Sequence, residues 1–406
     1  MELSYCTNVH PAEDLDGVLE QLDAFAGPVR RAAGLDRLGV GLWLPAELAA
    51  RLASSPGDRR RLQARLEVDG LVLRTINAFP YRAFHAEVVK LDVYRPDWTD
   101  ARRVAHTLDC ARVLADLLPE GAAGSISTLP LAWREPWTEE DDRAATEAMA
   151  LVSRELRRLR DETGRTVRLA IEPEPGCVLD TVDDVVGWLA PRTRSGLIDP
   201  EFVGVCLDTC HLAVSFADPA QCGRRIADAG LRVVKVQASA ALHVERPSDP
   251  VSREAIAGFS EPRYLHQTRE LRSDGVVLAA DDLSEALDSL PAEGPWRVHF
   301  HVPLHLAPTP PLTATTDVLL TVLDAVCGIP YGDEAHVDVE TYTWTVLPGG
   351  VDDLVAGIAG EVRWAADALE ARVPVDAGVV VDADASIAAT RHPAPAAASV
   401  RSEVPA

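Results

Sequence analysis

Nine short apolar runs recur along the chain, most of them separated by helix-length amphipathic stretches. They are Leu3–Cys6, Leu38–Leu44, Leu71–Ile76, Gly124–Leu131, Thr166–Ile171, the first half of Val203–Leu212, Arg232–Val236, Trp296–Val302 and His336–Val339. Strand–helix alternation of this kind predicts parallel strands joined by right-handed crossovers. The run bodies are apolar and their ends are polar. That combination fits a closed (β/α)8 barrel better than an open sheet, because many strand ends must then converge on one mouth. Nine runs are one too many for such a barrel. Either Trp296–Val302 or another segment is therefore expected to be an accessory strand, in a long insertion that follows the seventh strand.

Composition narrows the function classes. Of 406 residues, 47% are hydrophobic and 25% charged, which is the balance of a soluble globular protein with a real core. The expected division is one barrel domain over 1–373 and a mostly disordered tail over 374–406, where Ala, Pro and Val offer no periodic apolar face. A net charge of −24 argues against nucleic acid or an anionic membrane surface as partner. A small anionic ligand held by a local Arg cluster stays open. No apolar run is long enough to span a bilayer. The first residues lack a basic n-region and an apolar h-region, so a cytoplasmic location is expected. Seven cysteines without framework spacing read as reduced thiols.

The chemistry is expected at the strand ends. Glu172, Asp208, His211 and Glu340 each follow an apolar run. Three carboxylates meeting in one mouth repel and stay partly protonated unless a cation neutralises them. Oxygen-rich sites with one or two imidazoles suit Mn²⁺, Mg²⁺, Co²⁺ or Zn²⁺. Gln237, at the next strand end, would add a neutral oxygen. Glu174 follows Glu172 by two residues, and His10 stands at the end of the first run; both are candidates to line a substrate site. His299 and His301 share one strand face, either towards the mouth or as satisfied core histidines. His266, flanked by Arg263 and Arg269, could sit beside a phosphate or carboxylate, although such arginines commonly pair with surface acids. The remaining histidines show no constellation.

Ala170-Ile171-Glu172-Pro173, then Cys206-Leu207-Asp208-Thr209-Cys210-His211, then a late strand ending in Glu340, resemble the xylose isomerase-like TIM-barrel superfamily. That superfamily includes sugar isomerases, keto-sugar epimerases, inosose dehydratases and abasic-site nucleases of the endonuclease IV type. More narrowly, Tyr5-Cys6-Thr7-Asn8-Val9-His10-Pro11, the His-Gln-Thr-Arg stretch from His266, and Val339-Glu340-Thr341-Tyr342-Thr343-Trp344 resemble the TIM-barrel member of the Ebo metabolite traffic gene clusters. The likeness implies that Glu172, Asp208 and Glu340 bridge metal and that His211 binds metal or substrate beside them. Gln237 departs from the pattern, since the sugar epimerases usually place a metal-binding His there.

The implied function is a divalent-metal-dependent isomerase, epimerase or dehydratase. Its substrate would be a sugar, polyol or cyclitol, phosphorylated or not, with Glu172, Glu340 and His211 as the catalytic groups. The narrower likeness implies a functional link to membrane-associated pathway proteins. A metal-dependent phosphoester hydrolase of the endonuclease IV type and a non-catalytic metabolite-binding protein on a degenerate barrel stand as rivals.

Overall fold

The computed structural model describes residues 1–372. The expected tail over 374–406 lies outside the described residues, as does the last position of the expected domain. Eight parallel strands close a barrel: β1 (Glu2–Cys6), β2 (Leu38–Trp43), β3 (Leu71–Asn77), β4 (Ala123–Thr128), β5 (Thr166–Ile171), β6 (Val203–Asp208), β7 (Val233–Ala238) and, after the insertion, a strand at His336–Val339 that pairs with both β1 and β7. All six residues of β6 and of β7 are buried, as an apolar strand with both faces covered must be. Helices between the strands cover the outside. The longest, Glu139–Thr163, starts at a capping box in which Thr138 and Asp141 exchange hydrogen bonds.

The ninth run belongs elsewhere. Between β7 and the helix Thr316–Cys327 the chain builds a second sheet from β8 (Leu242–Val244), β9 (Thr268–Leu271), β10 (Val277–Ala280), β11 (Trp296–Val298) and β12 (Thr313–Ala314), in the order β10-β9-β11-β8-β12. The last barrel strand, His336–Val339, is therefore β13. Only the first three residues of the expected Trp296–Val302 strand are strand; His299, Phe300 and His301 leave the sheet and run towards the barrel mouth. Buried Glu270 holds the turn that leads into β11. Its carboxylate accepts the backbone N–H groups of Ala292, Glu293 and Gly294 and the Trp296 indole N–H, at 2.8–3.1 Å.

Below the mouth the barrel interior is polar. Lys235 Nζ lies 2.9 Å from Asp338 Oδ2, and Ser4 Oγ donates to Asp338 Oδ1 at 2.6 Å. Gly41 makes room for this pair: a Cβ there would come within 2.4 Å of Asp338 Oδ2. Above the mouth, the connection after β3 carries Phe84, Val89 and Tyr94. It is stitched to the insertion by Val89 N and Lys90 N, which both donate to the Arg263 carbonyl at 2.8 and 3.0 Å. Among the described residues no helix is long and apolar enough to cross a membrane. All seven cysteines are free, six of them buried.

Candidate metal centre and substrate cavity

Each carboxylate of the site stands where a buried strand ends at the carboxyl side of the barrel, which is where parallel barrels expose their chemistry. Glu172 follows β5, Asp208 closes β6 and Glu340 follows β13. The structure brings one oxygen of each within 4.8 Å of the others. Their environments differ. Asp208 Oδ1 accepts from Cys210 N at 2.7 Å, His211 N at 3.0 Å and Ser239 Oγ at 2.7 Å, so Asp208 caps the helix Thr209–Val214. Glu340 Oε1 accepts from Asn8 Nδ2 and Asn77 Nδ2, both at 2.7 Å. Neither asparagine was singled out from the sequence as a site residue, although each stands at the end of an expected strand.

Burial pushes the Glu172 carboxyl well above the ordinary glutamate range, and the Glu340 and Asp208 charges push it further. Burial, with Asp208 next, raises Glu340 likewise. Burial also acts to raise Asp208, but His211, His301, Ser239 and the His211 N–H outweigh it and hold this carboxyl below its usual value. The three acids thus divide into one that stays ionised and two that favour a proton. Such a division is what buried like charges at close range produce.

A divalent cation is what the residues present accommodate. Glu172 Oε2, Asp208 Oδ2, Gln237 Oε1 and His301 Nε2 are buried and have no hydrogen-bond partner. Buried polar atoms are almost always paired, so four unpaired donor atoms here fit a bound cation. Glu172, Asp208 and Glu340 form one group able to hold an ion, and Asp208, His211 and His301 form another. Gln237 is fully buried on β7, with Nε2 3.5 Å from Ser127 Oγ.

A cavity opens above this floor. Its polar base is made by Asn8, Asn77, Glu172, Glu174, His211, His299, His301 and Glu340, and its walls by Phe79, Phe84, Val89, Val93, Tyr94, Tyr264, Leu265 and Tyr342. Glu174 accepts from Tyr94 OH at 2.8 Å and Gln267 Nε2 at 3.0 Å. Its burial outweighs those two donors and lifts it to about 8.

Three residues expected to bind substrate stand away from the cavity. His10, buried just after the first 3-10 turn, is stacked on Phe25, with ring centroids 4.5 Å apart. His266 packs on Phe300 and bridges Glu261 Oε1 and the His299 carbonyl, at 2.9 and 2.8 Å. Arg269 is paired with Asp180 at 2.7 Å and faces a separate surface cavity. The insertion instead delivers His299 and His301 to the mouth, which resolves their alternatives towards the mouth.

The chain is similar in structure to the D-allulose 3-epimerase from Methylomonas sp., solved in complex with D-allulose. The TM-score is 0.50 at 12% identity, over 92% of this chain and 97% of that one. It is also similar to an L-ribulose 3-epimerase (TM-score 0.49, 15% identity, 91% and 95% covered) and to the IOLI protein with a bound zinc atom (TM-score 0.48, 12% identity, 92% and 99% covered). No curated protein sequence matches the chain. A family model described as xylose isomerase-like TIM barrel matches residues 29–296, more than half of the chain and six whole barrel strands from β2 to β7. The chain belongs to the xylose isomerase-like TIM barrel family.

Proposed function

We propose that the protein is a divalent-metal-dependent isomerase or epimerase acting on an uncharged polyhydroxylated substrate, a sugar or cyclitol. One observation carries this reading. Three carboxylates converge, buried, beneath an aromatic-walled cavity, with Glu172 Oε2 and Asp208 Oδ2 left without a partner. Glu172, Asp208 and Glu340 would hold the cation, which would supply Lewis-acid polarisation of two vicinal substrate oxygens. The chain's own residues do the rest. Glu172 would move a proton on the carbon beside the substrate carbonyl, acting as the base that takes it and the acid that returns it. Asn8 and Asn77 fix Glu340 Oε1, so its carboxyl plane does not turn during turnover. Tyr94 and Gln267 orient Glu174 at the cavity edge.

The charge of the lining supports an uncharged substrate. The one basic side chain among the described lining residues is Lys90, already paired with Asp282 at 2.5 Å. With Lys90 so paired, no Lys or Arg among the described lining residues is left to grip a phosphate beyond the metal itself, which favours an unphosphorylated substrate. The aromatic walls offer ring faces to the C–H side of a sugar or cyclitol.

The test is carbon-bound hydrogen exchange. Metal-loaded protein should incorporate solvent deuterium into its substrate. Glu172→Gln should abolish exchange while calorimetric substrate binding persists, once the variant is shown to keep its metal. A loaded wild type that binds cyclitols or sugars but exchanges no hydrogen would make it a metabolite-binding barrel.

A further inference from the structure

We propose that a second cleft, beside the barrel mouth and outside it, binds the ring of a neutral sugar or cyclitol. The proposal draws nothing from the carboxylate centre and stands or falls separately from it.

The cleft lies between the connections that follow β3 and β4, where Arg95, Asp97, Trp133, Glu135 and Trp137 line it. A single 3-10 turn, Lys90–Tyr94, divides it from the mouth cavity. In such a turn, residues three apart lie one above the other. Lys90 and Val93 accordingly line the cavity and Leu91 the cleft, while Tyr94 borders both. Backbone hydrogen bonds fix the walls. Trp98 N donates to the Leu131 carbonyl and Val178 N to the Ala132 carbonyl, both at 3.0 Å. Trp133 packs on Tyr94 with ring centroids 5.1 Å apart, and a Cβ on Gly176 would come within 2.5 Å of its indole.

The polar groups of the cleft are largely unspent. Arg95 and Glu135 are exposed, and neither side chain makes a hydrogen bond or ion pair among the described residues. Asp97 Oδ1 accepts from Thr99 N at 2.9 Å and Thr99 Oγ1 at 2.6 Å, which leaves Oδ2 free. The indole N–H groups of Trp133 and Trp137 have no acceptor among the described residues, whereas five of the other six indoles donate to one. An anion would meet three carboxylates, Asp97, Glu135 and Asp141, against one guanidinium. A cation would meet the unpaired Arg95. The Trp133 ring, a natural seat for a cation, already carries the Arg134 guanidinium at 4.8 Å from the centroid. A neutral ligand with many hydroxyls matches what is left: free acceptors on Asp97 and Glu135, and free donors on Arg95 and two indoles. The Trp137 ring, half-buried and without an aromatic or cationic partner among the described residues, offers a flat face to the C–H side of such a ring.

Binding of maltose, cellobiose and myo-inositol to chelated full-length protein, followed by tryptophan fluorescence and saturation-transfer NMR, tests this. Chelation takes ion-dependent binding at the mouth out of the readout. At least one probe should bind saturably. Trp137→Ala should weaken it by about tenfold, while Trp137→Phe, which keeps a ring, should retain most of the affinity. Glu135→Gln should keep the fold and bind more weakly than wild type. A far-ultraviolet dichroism spectrum and melting curve for each variant separate lost contacts from lost fold. No saturable binding of any of the three probes would overturn the proposal. Binding that Trp137→Ala leaves intact and Glu172→Gln removes would place the sugar in the mouth and also overturn it. Tetramethylammonium or inorganic phosphate bound in place of all three, and lost in Trp137→Ala, would overturn the assignment of a neutral ligand. Absence of carbon-bound hydrogen exchange in the metal-loaded protein would leave the cleft proposal standing.

Discussion

Asp208 splits its work between two oxygens, and this makes it the most informative single residue. Oδ1 caps the following helix and takes the Ser239 hydroxyl, while Oδ2 faces the mouth without a partner. Asn keeps an oxygen for the first task and replaces the second by an amide N–H. Asp208→Asn should therefore fold with a far-ultraviolet dichroism spectrum like that of wild type, yet retain little metal after desalting. Retention of the full wild-type metal content would remove Asp208 from the centre. At this scale the sequence was readable for Glu172, Asp208, His211 and Glu340, because each terminates or follows an apolar run that could only be a buried strand. It was not readable for the partners. Asn77 and Glu340 are 263 residues apart, and Gln267 reaches Glu174 from an insertion whose path no periodicity encodes. His10, His266 and Arg269, expected beside a ligand from type and position, lie outside the cavity lining and contact Phe25, Glu261 and Asp180.

Among the elements, the barrel strands announced themselves, whereas of the inserted sheet only β11 did. Runs of four or more buried apolar residues are legible, whereas β8 and β12 have three and two residues, too few for a period to show. The helix Leu354–Glu370 holds a less obvious device. Buried Glu361 accepts from Leu304 N at 3.0 Å, Thr341 Oγ1 at 2.7 Å and Trp344 Nε1 at 2.8 Å, so it ties the end of the insertion to the segment that carries Glu340. Burial outweighs these three donors and lifts its carboxyl to about 7. The folded chain thus holds this proton up to about pH 7, whereas the unfolded chain releases it near the ordinary glutamate value. The stabilisation is complete below that value and is lost as pH rises through 7. Denaturant unfolding at pH 5 and pH 8 should show wild type losing on the order of 3 kcal/mol more than Glu361→Gln between the two. Equal losses would show that this carboxyl does not titrate in that window.

For the whole molecule the governing quantity is the charge enclosed by the barrel. Lys235 is spent on Asp338, so Glu172 and Glu340 meet in the mouth without a cation of their own. Both carboxyls are shifted upward by burial, and each favours its protonated form in the folded chain. Metal-free protein should therefore lose stability as pH rises above the ordinary glutamate value, since the unfolded chain ionises first. A bound divalent ion reverses this by favouring the ionised carboxylates and releasing their protons. At about 100 times its dissociation constant the ion should add about 2.7 kcal/mol, which for a chain of this length is a rise in Tm of roughly 3 °C. The rise should be larger at pH 8 than at pH 5.5, and calorimetry in two buffers of different ionisation enthalpy should register proton release on metal binding. If chelated and metal-loaded samples melted together at both pH values, the carboxylates would be carrying their own protons and no ion would belong in the barrel mouth.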